Sequence, residues 1–191
     1  EDNSLFFTPC EPGKACQMTE DNSSLNMTSA MSYLEISRKT GMIRNFTHSG
    51  NPLIESPLEL CFWRDPVDND RGWKMPAFCN LWKDLPERLA VDHIKREANN
   101  ITVKLKDRES GLSCFMKYEL SSKGHLSLGM KIFCPKSLPL IPRIGLKTMI
   151  RRPAGPVEWY GRGPHENYCD RKSSALPGFY SLEPENLCHT Y

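Results

Sequence analysis

Within the run Trp159-Tyr160-Gly161-Arg162-Gly163-Pro164-His165-Glu166-Asn167-Tyr168-Cys169-Asp170-Arg171, a histidine, two carboxylates and a guanidinium fall within seven positions. Glu166 and Asp170 are the residue types that run general acid–base chemistry when a cleft brings them together. They also suit a plainer task, locking a tight loop by pairing with Arg171 and Arg143, and that is the expected role. His165 reads as a hydrogen-bonded loop histidine. A second acidic group, Asp65, Asp68 and Asp70, partly imitates a calcium loop through Asp68-x-Asp70-x-Gly72. The twelfth position of such a loop, where a bidentate Glu belongs, is Cys79, so no metal is expected. Arg64 is expected to pair with a loop aspartate, and Asp68 and Asp70 to cap backbone amides. Trp63 and Trp73, flanking this acidic loop, offer flat apolar faces of the sort on which sugars stack. Trp82 and Trp159 suit a core equally well. The candidate ligand-binding set is therefore Trp63, Trp73, Arg64, Asp68, Asp70, His165 and Glu166, with no catalytic residue and no cofactor.

A chain of 191 residues suits one domain, or one domain with an appended segment. The net charge of +2, with no stretch interleaving basic and aromatic residues, gives no reason to expect nucleic acid. No run of 18 apolar residues is present, so no helical membrane span is expected. The sequence opens Glu1-Asp2-Asn3, as a mature product with its leader removed would.

Eight cysteines lie at 10, 16, 61, 79, 114, 134, 169 and 188, with no C-x-x-C pair and no histidine at zinc-ligand spacing. A disulfide framework is expected. Folding the 112–134 hairpin about residue 124 opposes Cys114 to Cys134, and proximity suggests Cys10–Cys16, Cys61–Cys79 and Cys169–Cys188. Sequons at Asn22, Asn26, Asn45 and Asn100 point to N-glycosylation, hence to an extracellular location.

Residues 1–30, polar and turn-rich, read as an irregular arm, with regular structure from Ser32. Tyr33, Ile36, Met42, Ile43 and Phe46 about the turn 38–41 predict a hairpin. Residues 51–73 read as a long shaped loop, and 80–98 as a short helix near Pro86 followed by a strand. Ile101, Val103 and Leu105 alternate with polar residues, and strands are expected at 112–120, 126–134, 144–150 and 157–160. Antiparallel strands at this spacing predict an all-β sandwich.

The run at 159–171 resembles the W-x-G-x-G-P-x-E-N-Y-x-D-R signature of the small-chain domain of family 2 β-galactosidases. Trp159, Gly161, Gly163, Pro164, Glu166, Tyr168, Asp170 and Arg171 carry it. Four further stretches match collinearly: Ser37-Arg38-Lys39-Thr40-Gly41-Met42-Ile43, Gly50 to Leu58, Trp63-Arg64-Asp65-Pro66-Val67-Asp68-Asn69-Asp70-Arg71-Gly72, and Pro142-Arg143-Ile144-Gly145. Trp82 to Leu89 echoes a fifth. The resemblance implies an antiparallel β-sandwich of the galactose-mutarotase-like, β-galactosidase small-chain type over 31–191, which the disulfides expected from the cysteine count would staple. In that family the catalytic glutamates belong to a (β/α)₈ barrel of roughly 250 residues, for which this chain has no room. The segment Pro184-Glu185-Asn186-Leu187-Cys188 resembles the start of a further family motif before Tyr191 ends the chain. The expectation is thus a truncated, stand-alone, secreted glycoprotein that binds a glycan or protein, its sheet edges offering a route to a homo-oligomer. The alternative is an enzyme, either a split subunit complementing a barrel or a new activity on the sandwich.

Overall fold

Alternation decides which side chains enter the core. In the computed structural model, which describes residues 16–150, 155–165, 167 and 172–187, strand β8 (Asn100–Lys106) buries Ile101, Val103 and Leu105 and turns Thr102 and Lys104 outward. β9 (Ser113–Leu120) buries Cys114, Met116, Tyr118 and Leu120 the same way. With β7 (Ala90–Glu97) and β10 (Leu126–Phe133) they form an antiparallel sheet in the order β10-β9-β8-β7. β7 is an edge, broken by a bulge between Val91 and His93 and densely charged through Asp92, Lys95, Arg96 and Glu97.

The second sheet is five-stranded: β1 (Gln17–Glu20), β2 (Ser24–Thr28), β3 (Ser32–Ser37), β4 (Ile43–His48) and β5 (Asn51–Pro52), in that order. Its inward residues Leu25, Met27, Leu34, Ile36 and Ile43 join those of the first sheet in one buried cluster. Each such side chain contributes about 2 kcal/mol by leaving water. β1 and β2 correct the expected arm: residues 17–20 and 24–28 are strands, with Leu25 and Met27 at 1% and 0% exposure. The first 15 residues lie outside the described residues.

Between the sheets in sequence come β6 (Glu59–Cys61), α1 (Asp68–Gly72), α2 (Met75–Phe78) and α3 (Leu81–Arg88). Trp82 and Leu85, three apart, are the buried side of α3. Pro86 offers no amide to continue the helical ladder, and the helix stops two residues later. β11 (Gly145–Lys147) pairs with β6.

The chain divides into two compact units, 1–150 and 151–191. In the second, β12 (Val157–Gly163) and β13 (Leu176–Leu182) form a hairpin followed by a 3-10 turn, Pro184–Asn186. Trp159 and Tyr180 stack at 5.5 Å on one face, and Tyr160 and Phe179 at 4.8 Å on the other. A side chain at Gly163 would lie 2.8 Å from Tyr180 and 3.0 Å from Trp159, which accounts for a glycine there.

Two of the expected bridges, Cys61–Cys79 and Cys114–Cys134, do not form. Cys61, Cys79, Cys114 and Cys134 are free thiols. The 121–125 loop closes by a bond from the Ser121 amide to the His125 carbonyl, which centres the hairpin on residue 123. That one-residue shift of centre moves partners by two, so Cys114 faces Ile132 rather than Cys134. Cys114 is fully buried, its thiol pushed up to about 11 by desolvation, while Cys134 is exposed beyond the strand end. Cys61, opposite Gly145, donates to the Trp63 carbonyl at 3.2 Å, and buried Cys79 donates to that of Leu140 at 3.4 Å. Cys10, Cys169 and Cys188, partners in the other expected bridges, lie outside the described residues.

The two sheets come into contact at Gly41, in the β3–β4 turn, with φ +71°. A Cβ there would stand 2.6 Å from Val103 Cγ1 and 3.0 Å from Leu105 Cδ2. The buried Tyr118 hydroxyl donates to the Gly41 carbonyl at 2.8 Å. Gly41→Ala is expected to destabilise by about 3 kcal/mol, combining left-handed backbone strain with overpacking. Tyr118→Phe removes only the hydroxyl and is expected to cost about 1 kcal/mol. Urea denaturation of both variants measures the ranking, and an equal effect would remove Gly41 from its place as the tight contact.

Candidate functional site

The site grows from the crossing of β6, α3 and the Gly41 turn. Phe62 and Trp82, both fully buried, meet edge to face at 5.9 Å and 88° and form its floor. The Trp82 indole N–H donates to the Pro139 carbonyl at 3.2 Å, so the ring is held at its polar end. Above lies a cleft of about 580 Å³, within the size range of small-ligand sites. Leu58, Leu60, Pro86 and Leu89 supply apolar wall, and Thr40 and Met42 come from the tight turn. Half-buried Trp63 stands at the margin with Lys83 Nζ 4.6 Å from its ring centroid, a cation–π contact.

Charge is confined to the rim and is compensated there. Lys147 of β11 reaches Glu59 of β6 at 2.9 Å, because the register places the two opposite each other. The Glu59 hydrogen bond raises the Lys147 ammonium above its ordinary range. Lys83 and Glu87 are one turn apart on the exposed side of α3 and line the same cleft. An apolar, partly aromatic floor with a few polar groups at the edge suits an amphipathic ligand: an apolar ring face below, hydroxyls at the rim.

The acidic loop beside Trp63 has a different task. Arg64 forms a bidentate ion pair with Asp70, which is 5% exposed, and Arg64 Nε donates to the Pro142 carbonyl at 3.3 Å. Asp70 also accepts the Val67 amide at 3.0 Å, capping the start of α1. The Arg64 guanidinium holds the Asp70 carboxyl below the usual carboxylate range against the opposing effect of burial. Asp65 and Asp68 are exposed, and Asp68 makes only a loose 3.8 Å pair with Arg71. Arg64 and Asp70 are thus joined in one buried lock, and Asp68 is not part of it. Among the described residues no group of three or more His, Cys, Asp or Glu side chains could hold a metal ion.

Of the other candidates, Trp73 is 46% exposed at the end of α1 and does not line the cleft. His165 is an exposed residue of the second unit. Glu166, Tyr168, Asp170 and Arg171 lie outside the described residues. Sequence reasoning missed Glu59, Lys83, Glu87 and Lys147. The four-residue spacing of Lys83 and Glu87 on a helix was the one usable signal.

The same motifs recur in known proteins. A family model described as "Beta galactosidase small chain" matches residues 28–191. The chain belongs to the β-galactosidase small chain family. A β-galactosidase of Pseudoalteromonas haloplanktis is 29% identical over 206 aligned positions, covering 99% of this chain and 20% of that protein. Relatives of the same name from Vibrio cholerae and Priestia megaterium are 26% and 27% identical, covering 91% and 84% of this chain but 18% and 16% of theirs. The chain spans about a fifth of the length of these relatives. The lock residues Arg64 and Asp70 lie within the matched stretch.

Removing Arg64 leaves the buried Asp70 carboxylate without its charged partner, held only by the neutral Val67 amide and the Trp73 side chain; Arg64→Ala is expected to cost about 3 kcal/mol. The pH dependence has a definite sign. Because the folded pKa of Asp70 is depressed, its stabilisation is present above the unfolded value near 3.8 and is lost as pH falls through the lower folded value. Asp107 behaves alike: burial raises its carboxyl, but Arg88 at 2.6 Å and the Ser110 amide outweigh it and bring the pKa to about 2. Acid denaturation followed by circular dichroism should therefore lose stability between about pH 4 and 2, and the Arg64→Ala profile should be flatter there. An unchanged profile would rule out the lock.

Proposed function

We propose that the chain is a secreted, glycosylated, non-catalytic binding module of the β-galactosidase small chain family, with a carbohydrate ligand seated in the cleft beside Trp63. The cleft carries this reading: its floor is aromatic, its rim holds hydroxyl-bonding groups, and its volume of about 580 Å³ admits a short oligosaccharide. The names of its relatives support a sugar, as analogy from ancestry. The rim carboxylate Glu59 is neutralised by Lys147, an arrangement for holding a ligand rather than for exchanging protons with it. Of the two features suggesting an extracellular location, the four sequons stand. The thiols at 61, 79, 114 and 134 do not add to it.

One observation favours a second reading. Alignment to about a fifth of proteins named β-galactosidase is what a domain that serves a glycosidase would show, and in that case its binding surface would work for a catalytic partner.

A glycan array with the purified protein, followed by calorimetric titration of the hits, tests the first reading. Trp63→Ala should weaken binding at least tenfold, the scale of losing a central aromatic anchor. Lys83→Ala uncovers the Trp63 ring and should keep or improve affinity, and Trp73→Ala should leave it unchanged. Glycan binding indifferent to Trp63, or no glycan binding, would overturn the assignment. Hydrolysis of a nitrophenyl β-galactoside by the natively purified material would favour the second reading. Recovery of the native protein from the culture medium tests secretion.

A further inference from the structure

The sequons at Asn22, Asn26, Asn45 and Asn100 are scattered along the chain but not in the fold. Asn26 of β2 pairs with Glu35 of β3, and Glu35 pairs with Asn45 of β4, so the three form one cross-strand row. Their neighbours Leu25, Met27, Leu34 and Ile36 point into the core, and alternation turns the row outward. Two strand spacings set the backbones of Asn26 and Asn45 about 10 Å apart. Asn22 lies exposed in the turn between β1 and β2, at the end of the same sheet.

The amides in the row are available for attachment. The Asn26 carbonyl oxygen accepts the Tyr33 hydroxyl at 3.1 Å, which directs its amide nitrogen away from that bond. The rest of the row and the next one out are Thr19, Thr28, Tyr33, Glu35 and Thr47, short or polar side chains with no large exposed hydrophobe among them. Such a face has no apolar area to protect and can carry bulky, hydrated groups.

Asn100 differs in each respect. It opens β8 in the other sheet, between Glu97 and Glu119 as cross-strand neighbours. Its amide nitrogen donates to Glu97 Oε2 at 3.1 Å, and its carbonyl oxygen is buried. A sugar on that nitrogen would displace Glu97 and force a buried amide to turn.

We propose that the outer face of the five-stranded sheet carries N-linked oligosaccharides side by side on Asn26 and Asn45, with a third on Asn22, and that Asn100 stays bare. This rests on the extracellular reading given above. In the transfer, the amide nitrogen bonds to the anomeric carbon of a lipid-linked oligosaccharide, the lipid pyrophosphate leaves, and one amide proton is lost. The oligosaccharides reserve this face against protein partners, and none of the cleft-lining residues belongs to the row.

The test directs the whole chain into the secretory pathway with a supplied leader and maps each sequon by mass spectrometry. Asn22, Asn26 and Asn45 should be modified in most molecules and the Asn100 peptide unmodified. Thr28→Ala and Thr47→Ala should each remove one oligosaccharide from the intact mass, and Thr102→Ala should remove none. Modification of Asn100 to a comparable extent, or bare Asn26 and Asn45, would overturn the proposal. Because the leader is supplied, this result is separate from where the native protein resides. Absence of the native protein from the medium counts against the extracellular reading and leaves the map intact.

Discussion

The approach of the Gly41 turn to β8 fixes the rest of the first unit. A left-handed residue without a Cβ lets the β3–β4 hairpin come within contact of Val103 and Leu105, and Tyr118 ties the backbone there by its hydroxyl. The distance between the sheets is thereby set at one point by backbone rather than by adjustable side chains. Thr40 and Met42, on either side of that glycine, are carried into the wall of the cleft. Core packing and site geometry are consequences of one close contact.

Around this contact, buried charge is used as a fastener and surface charge as a rim. Asp70 and Asp107 are each nearly buried and each held by one arginine together with a backbone amide at the start of a turn. Such pairs add little net stability over an apolar substitute, but they specify a geometry, since a carboxylate left alone in that place is costly. Arg64 also reaches the Pro142 carbonyl, so one guanidinium joins the acidic loop to the segment leading into β11. The cleft residues Glu59 and Lys147 are positioned by the β6–β11 pairing that this arrangement supports.

Much of the architecture was legible from periodicity. Ile101, Val103 and Leu105 announced β8, because burial on one face demands that repeat, and a short helix was expected near Pro86, within α3. The motif resemblance was legible from particular residues and led to the family. Strands β1 and β2 were not, since Gln17–Glu20 and Ser24–Thr28 are short, polar and interrupted by turn formers, and only pairing makes them strands. The Cys114–Cys134 bridge failed on a single loop residue, which no alternation pattern can fix. The cleft escaped notice because Glu59, Trp63, Lys83 and Lys147 come from three separate stretches with no common spacing. Of the predicted ligand set, Trp63 borders the cleft while Arg64 and Asp70 hold the loop beside it.

The bulge in β7 bears on how the sheet ends. An edge strand presents unused amides and carbonyls to any chain that can match their two-residue repeat. Between Val91 and His93 that repeat is broken, and on either side the strand carries Asp92, Lys95, Arg96 and Glu97. No second strand can keep a continuous ladder past the break, and the charges keep water on the free groups. On its β7 side the four-stranded sheet is therefore ended by its own irregularity.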